Sequence, residues 1–218
     1  MPERTLSAPG AITIASKLIE VDPDVMERVK AACAAEWPAF LPRFGGPLQC
    51  YERVQPWWRR HRLVDVHSPV PAPAVSLPVV FVPGGAIRVL RGHPEHVVEM
   101  ARTDPPRNLD LPSHARAYAT FCGEMTSDAE GGEQSVDSFD QIPFRTSLAP
   151  AERELIKALR VKHAADIHAP KLEKTAAGFV LEMWMVSRSR LIHRKVVVPR
   201  SGQLTREERV LADPIPVF

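Results

Sequence analysis

Two of the eight histidines stand close enough to share one ligand. In His93-Pro94-Glu95-His96 the imidazoles are three residues apart where a helix should begin, a spacing that puts both on one side of a first turn. Neutral imidazoles brought together in this way suit a transition metal. Upstream, Asp65 and His67 fall on one face of an expected strand and would complete a set of three or four ligands. Against this, the HxxH spacing recurs by chance, and a histidine just ahead of a helix has no fixed direction. His93, His96 and His67 are therefore expected to be surface or capping residues, with no metal favoured and no cofactor.

Proton transfer is the second chemistry within reach. Phe179 to Val186 alternates as a strand, with Phe179, Leu181, Met183 and Met185 on an apolar face and Val180, Glu182, Trp184 and Val186 on the other. A carboxylate beside an indole on a half-apolar face suits a pocket wall, where desolvation raises its pKa toward acid–base use. Glu182 and His193 are the catalytic candidates on this reading, and Trp184 and Arg194 the ligand-binding ones. The plainer alternative is a solvent face on which Glu182 pairs with a cross-strand arginine such as Arg194.

Trp57-Trp58 lies in the run PWWRRHR, where aromatics and arginines interleave. Such a run can stack on single-stranded bases or on a ligand while its cations pair with phosphates. Arg188, Arg190, Arg194, Lys195 and Arg200 form a second basic set. The ordinary reading is that the tryptophans anchor a loop while the arginines snorkel around it. In a regular strand successive side chains alternate faces, so one of the two indoles is expected to be at least partly exposed, or buried only by a loop or partner. Nucleophilic catalysis finds little support. Cys33, Cys50 and Cys122 have no histidine at a diagnostic spacing, and without a CxxC they suggest neither a disulfide framework nor a zinc site.

Charge narrows the partners. The formal balance is +2, from 28 basic and 26 acidic residues, so a nucleic-acid partner is disfavoured, as is a membrane surface. No run approaches ~18 apolar residues and the start has no unbroken apolar segment, so neither a transmembrane helix nor a signal peptide is expected. A cytoplasmic location follows by elimination. Proline reaches 22 residues against 11 glycines, which points to many short elements joined by stiff connections.

The elements that must position these residues follow from period and punctuation. Asp22-Pro23-Asp24 opens a helix to about residue 37, with Val25, Met26, Val29, Ala32, Cys33 and Trp37 inward. Residues 79–90 read as a hairpin around Gly84-Gly85. Short helices are expected from Pro94 and over about 113–124, then an acidic loop at 124–140 that ends in a short strand at Gln134–Phe139. A further helix covers 149–164, with Leu155, Ile156 and Leu159 inward, and strands cover 179–186, 191–198 and 203–211. This order, without regular βαβ alternation, predicts an α+β fold. An antiparallel sheet would carry helices packed mainly on one face, in a single domain over 1–218 with a flexible segment at 1–20. Phe179, Leu181, Met183 and Met185 should then pack against the helices at 23–37 and 149–164.

The function expected on these grounds is binding of a small molecule between the sheet and its helices, by an enzyme or a non-catalytic accessory protein. A protein partner is the alternative, with an adaptor or immunity-type module working through the Trp57–Arg62 patch. Nucleic-acid binding ranks third.

Overall fold

The computed structural model describes residues 15–36, 48–67, 76–82, 84–127 and 133–217. It has the expected mixed α+β class with antiparallel pairing throughout, but the strands are shared between two sheets rather than gathered in one. Two compact units hold them: Met1–Thr126 with Ser201–Gln203, and Ser127–Arg200 with Leu204–Phe218.

In the first unit five strands follow one another as a meander: β1 (Ala15–Ile19), β2 (Gln49–Val54), β3 (Arg62–His67), β4 (Ser76–Phe81) and β5 (Ile87–Val89). The β4–β5 turn is the expected one, with Gly84 and Gly85 at φ 93° and 90°, the positive angles that a tight hairpin needs. Helix α1 (Pro23–Glu36) begins as the sequence dictates: the Asp22 carboxylate accepts the Asp24 amide at 2.9 Å. Val29 and Cys33 on its inner face are buried with Val64, Val66, Leu77, Val79 and Val89 of the sheet. Trp37 lies outside the described residues, as does most of the proline-rich stretch after His67; of the segment 1–20 expected to be flexible, 1–14 lie outside them too, and Ala15–Ile19 form strand β1 instead. Helices α2 (Pro94–Thr103) and α3 (Pro112–Thr126) complete this unit.

In the second unit the long hairpin β8 (Gly178–Ser187) and β9 (Arg190–Pro199) is flanked by β10 (Thr205–Ala212) on the β9 side. Two short strands share the other edge of β8 end to end. β6 (Glu133–Val136) pairs with Trp184–Ser187, and β7 (Lys171–Lys174) pairs with Phe179–Glu182. The segment expected as an acidic loop at 124–140 therefore holds the end of α3, a strand and a 3-10 turn at Phe139–Gln141. Helix α4 (Pro150–His163) starts where Glu152 accepts the Ala149 amide at 2.8 Å, the returning half of a capping box.

Two packing expectations are corrected. Phe179, Leu181, Met183 and Met185 are all buried, but α4 lies on the opposite face of β8, where Leu159 clusters with Trp184, Val186 and Leu191. That face gains Val136, Phe139, Ile142, Ile167 and Ile215 from segments outside the hairpin, which makes it apolar where β8 alone looks half polar. Helix α1 serves the first sheet instead. Leu155, expected inward, is exposed, and α4 buries only Leu159 and His163, with Ile156 packed beside them.

Candidate functional site

The segment Gln55–His61 is not a strand, and that decides the fate of the two tryptophans. Gln55 turns back so that its Oε1 accepts the amides of Trp57 and Trp58 at 2.7 and 2.8 Å. The tight turn frees both indoles from strand alternation. Trp57 is 0% and Trp58 4% exposed, and both rest edge-on against Tyr118 of α3 with centroids 5.4 and 5.5 Å away. Neither indole is exposed, as follows once the segment is a loop and not a strand; the pair anchors that loop on α3.

Beyond the anchor the chain wraps around one carboxylate. Asp104, just past the end of α2, accepts the consecutive amides of Arg59, Arg60 and His61 on Oδ2 at 3.0, 2.7 and 3.3 Å. Three adjacent N–H groups converging on one oxygen form a nest that favours negative charge. Burial pushes the Asp104 carboxyl up, but hydrogen bonds from the Arg60 amide and from His61 outweigh it and hold it below the usual carboxylate range. The same oxygen lies 3.2 Å from His61 Nδ1, so this nitrogen donates to the carboxylate. Nε2 is buried and has no hydrogen-bond partner among the described residues.

His61 is one wall of a cavity of about 370 Å³. Val82 and Met100 supply apolar surface, and Arg60, Arg88, His96 and Glu99 supply the charged and polar groups. The loop before β3, the β4–β5 hairpin and α2 thus each contribute side chains. Among the described residues, neither the Arg60 nor the Arg88 guanidinium has a carboxylate within ion-pair distance. Two guanidiniums without a carboxylate partner on one cavity are equipped to hold an anion.

The second histidine group adjoins this cavity through His96. His93 is the residue before α2, Pro94 its first helical position, and His96 its third. That is the capping-box spacing, which brings the two side chains together. Here the two imidazoles stack at 5.0 Å with an interplanar angle of 19°. Glu95 reaches back, its Oε1 2.8 Å from His93 Nδ1. This contact raises the His93 pKa, while the Glu95 carboxyl, pushed up by burial, is brought below its ordinary value by its own amide and by His93. His67 is not part of the group; it packs edge-on against Tyr51 at 4.9 Å, and burial lowers its pKa. Its strand neighbour Asp65 is ion-paired with Arg53.

In the second unit the structure does bring Glu182 and His193 together, with Oε1 2.7 Å from Nε2. The register explains it: Trp184 pairs with His193 and Glu182 with Lys195, so these four share one face. The His193 ring stacks on Trp184 at 4.9 Å, and His168 meets the same indole edge-on at 4.1 Å. Arg194 belongs to the other face, opposite Met183. It does not reach Glu182. Its side chain is buried, donating to both oxygens of Glu133 at 2.7 and 2.8 Å and to Glu208 at 2.7 Å. It ties β6, β9 and β10 to one another.

Sequence reasoning passed over His61, Asp104, Arg88 and Glu95. His61 stood in the PWWRRHR run and Glu95 between the two histidines, so those two had a local signal. Asp104 and Arg88 had none, because their partners come from other elements. Comparison with protein-family models, with curated proteins and with solved structures finds no match to this chain.

Proposed function

We propose that the first unit binds a small anionic molecule in the cavity between the β4–β5 hairpin and α2. The observation that carries this is the pair of guanidiniums, Arg60 and Arg88, that line the cavity with no carboxylate at ion-pair distance among the described residues. The Arg60 and Arg88 side chains on the same cavity supply the charge for the anionic end. Its volume of about 370 Å³ lies within the range of small-molecule sites, roughly 300–1,000 Å³.

Calorimetric titration with inorganic phosphate, glycerol 3-phosphate and a 2-hydroxycarboxylate tests the reading. At least one of the three anions should bind. Arg60→Ala and Arg88→Ala should each weaken it about tenfold or more, the size expected for a charge-assisted contact of about 1.5–3 kcal/mol. Absence of binding by all three, or arginine variants that bind like the parent, would sink it.

A further inference from the structure

We propose that His93, Glu95 and His96 hold a divalent transition-metal ion. One donor atom from each of the three lies within 4.8 Å of the other two, and this is the one such group among the described residues. Backbone carbonyls hold the far nitrogen of each ring. The Nδ1 of His96 lies 2.6 Å from the Val89 carbonyl oxygen, which fixes the proton there and leaves Nε2 as a lone-pair donor. The Nε2 of His93 lies 3.3 Å from the carbonyl oxygen of Glu36. That leaves Nδ1 of His93 for the ion, directed at Glu95. Each imidazole thus gives its opposite nitrogen to a backbone carbonyl, the outer-shell arrangement that orients metal-bound histidines.

The distances suit the exchange of a proton for a metal. Two ligands each about 2.1 Å from one tetrahedral ion stand about 3.4 Å apart, so His93 Nδ1 and Glu95 Oε1 need part only slightly. His93 Nδ1 and Glu95 Oε1 are 2.8 Å apart, bridged by a hydrogen that an ion would displace. The positive end of α2 opposes a cation at this place. Two carboxylates offset it: Glu95 directly, and Glu36, whose Oε2 is 3.8 Å from His96 Nδ1 and accepts the Val89 amide at 2.7 Å. Two imidazoles and one carboxylate select zinc(II), iron(II) or cobalt(II) over magnesium or calcium, and three protein ligands leave a coordination position open. His96 also lines the cavity, so the open position and the anion site would be neighbours. The proposal does not depend on the anion reading, since metal binding is read by itself.

The full chain, stripped with a chelator and dialysed, is titrated with Zn(II) by calorimetry and with Co(II) by visible absorption. One ion per chain is expected, with Co(II) d–d bands and an upward shift of the thermal midpoint. Glu95→Gln is the decisive variant, because the side chain is largely exposed and its loss leaves the fold intact. It should weaken Zn(II) at least tenfold, and His93→Gln and His96→Gln should do the same. His168→Gln, remote from the group in sequence, should bind as the parent does. Failure to bind a stoichiometric ion, or an unchanged affinity in Glu95→Gln and the folded histidine variants, overturns the proposal.

Discussion

A single oxygen organises the loop that carries His61. Asp104 Oδ2 receives three amides and an imidazole, and its pKa lies below the ordinary ~3.9 of an aspartate. A carboxylate with a depressed folded pKa contributes stability that is complete above its unfolded value and lost as pH falls through the folded one. Asp104→Ala should therefore cost about 3 kcal/mol or more near neutral pH, since it strips the acceptor from several buried donors. The gap between parent and variant in urea midpoints should hold from pH 7 to about 5 and narrow below about pH 4. A gap that widens in acid would show that charge on Asp104 is not what holds the loop. The site was partly legible at this scale. His93 and His96 betray themselves by spacing, and Glu182 with His193 by strand periodicity. His61 and Asp104 lie 43 residues apart, and no local pattern joins an aspartate after one helix to a histidine before a distant strand.

Elements show why faces are harder to read than elements themselves. The hairpin of β8 and β9 was legible from its β-branched runs, and α1 to α4 from caps and period. The side of β8 that α4 covers was not, because Val136, Phe139 and Ile215 make the Trp184 face apolar from outside the hairpin. The split into two sheets was equally hidden, since the polar strand Gln49–Val54 acquires strand character only by pairing with β1 and β3. Two substitutions test the second sheet. Gly178 opens β8 at φ 153°, and a Cβ there would lie 2.2 Å from the Val198 carbonyl oxygen. Gly178→Ala should cost about 2 kcal/mol or more by urea denaturation, and neutrality would mean the strand can shift its start. Arg194→Met should cost about 3–5 kcal/mol, because it leaves Glu133 half-buried without its bidentate partner. Adding Glu133→Gln to it should cost less than the two single losses summed, as expected for one shared interaction.

Across the whole molecule the three cysteines are free and buried. Burial pushes the Cys33 thiol up to about 12, with Glu36 adding to it, and burial raises Cys50 and Cys122 as well. Thiolate is the reactive form, so the folded protein should react slowly with an aromatic disulfide reagent at pH 8. Three thiols should appear once denaturant is added without reductant. Fewer than three would reveal a disulfide, and rapid reaction in the native state would show that a core opens readily.

The outer strand β10 bears on how the protein behaves when it is crowded. It pairs with β9 along one side only, among the described residues, and leaves the other row of amides and carbonyls open to any stray strand. Its first five residues are Thr205, Arg206, Glu207, Glu208 and Arg209, all exposed, with charges on both faces. An identical strand docking antiparallel there would have to strip water from four charged side chains of each copy. The cost guards an edge that an apolar sequence would turn into a seed for fibrils, and it keeps the sheet finite at high concentration.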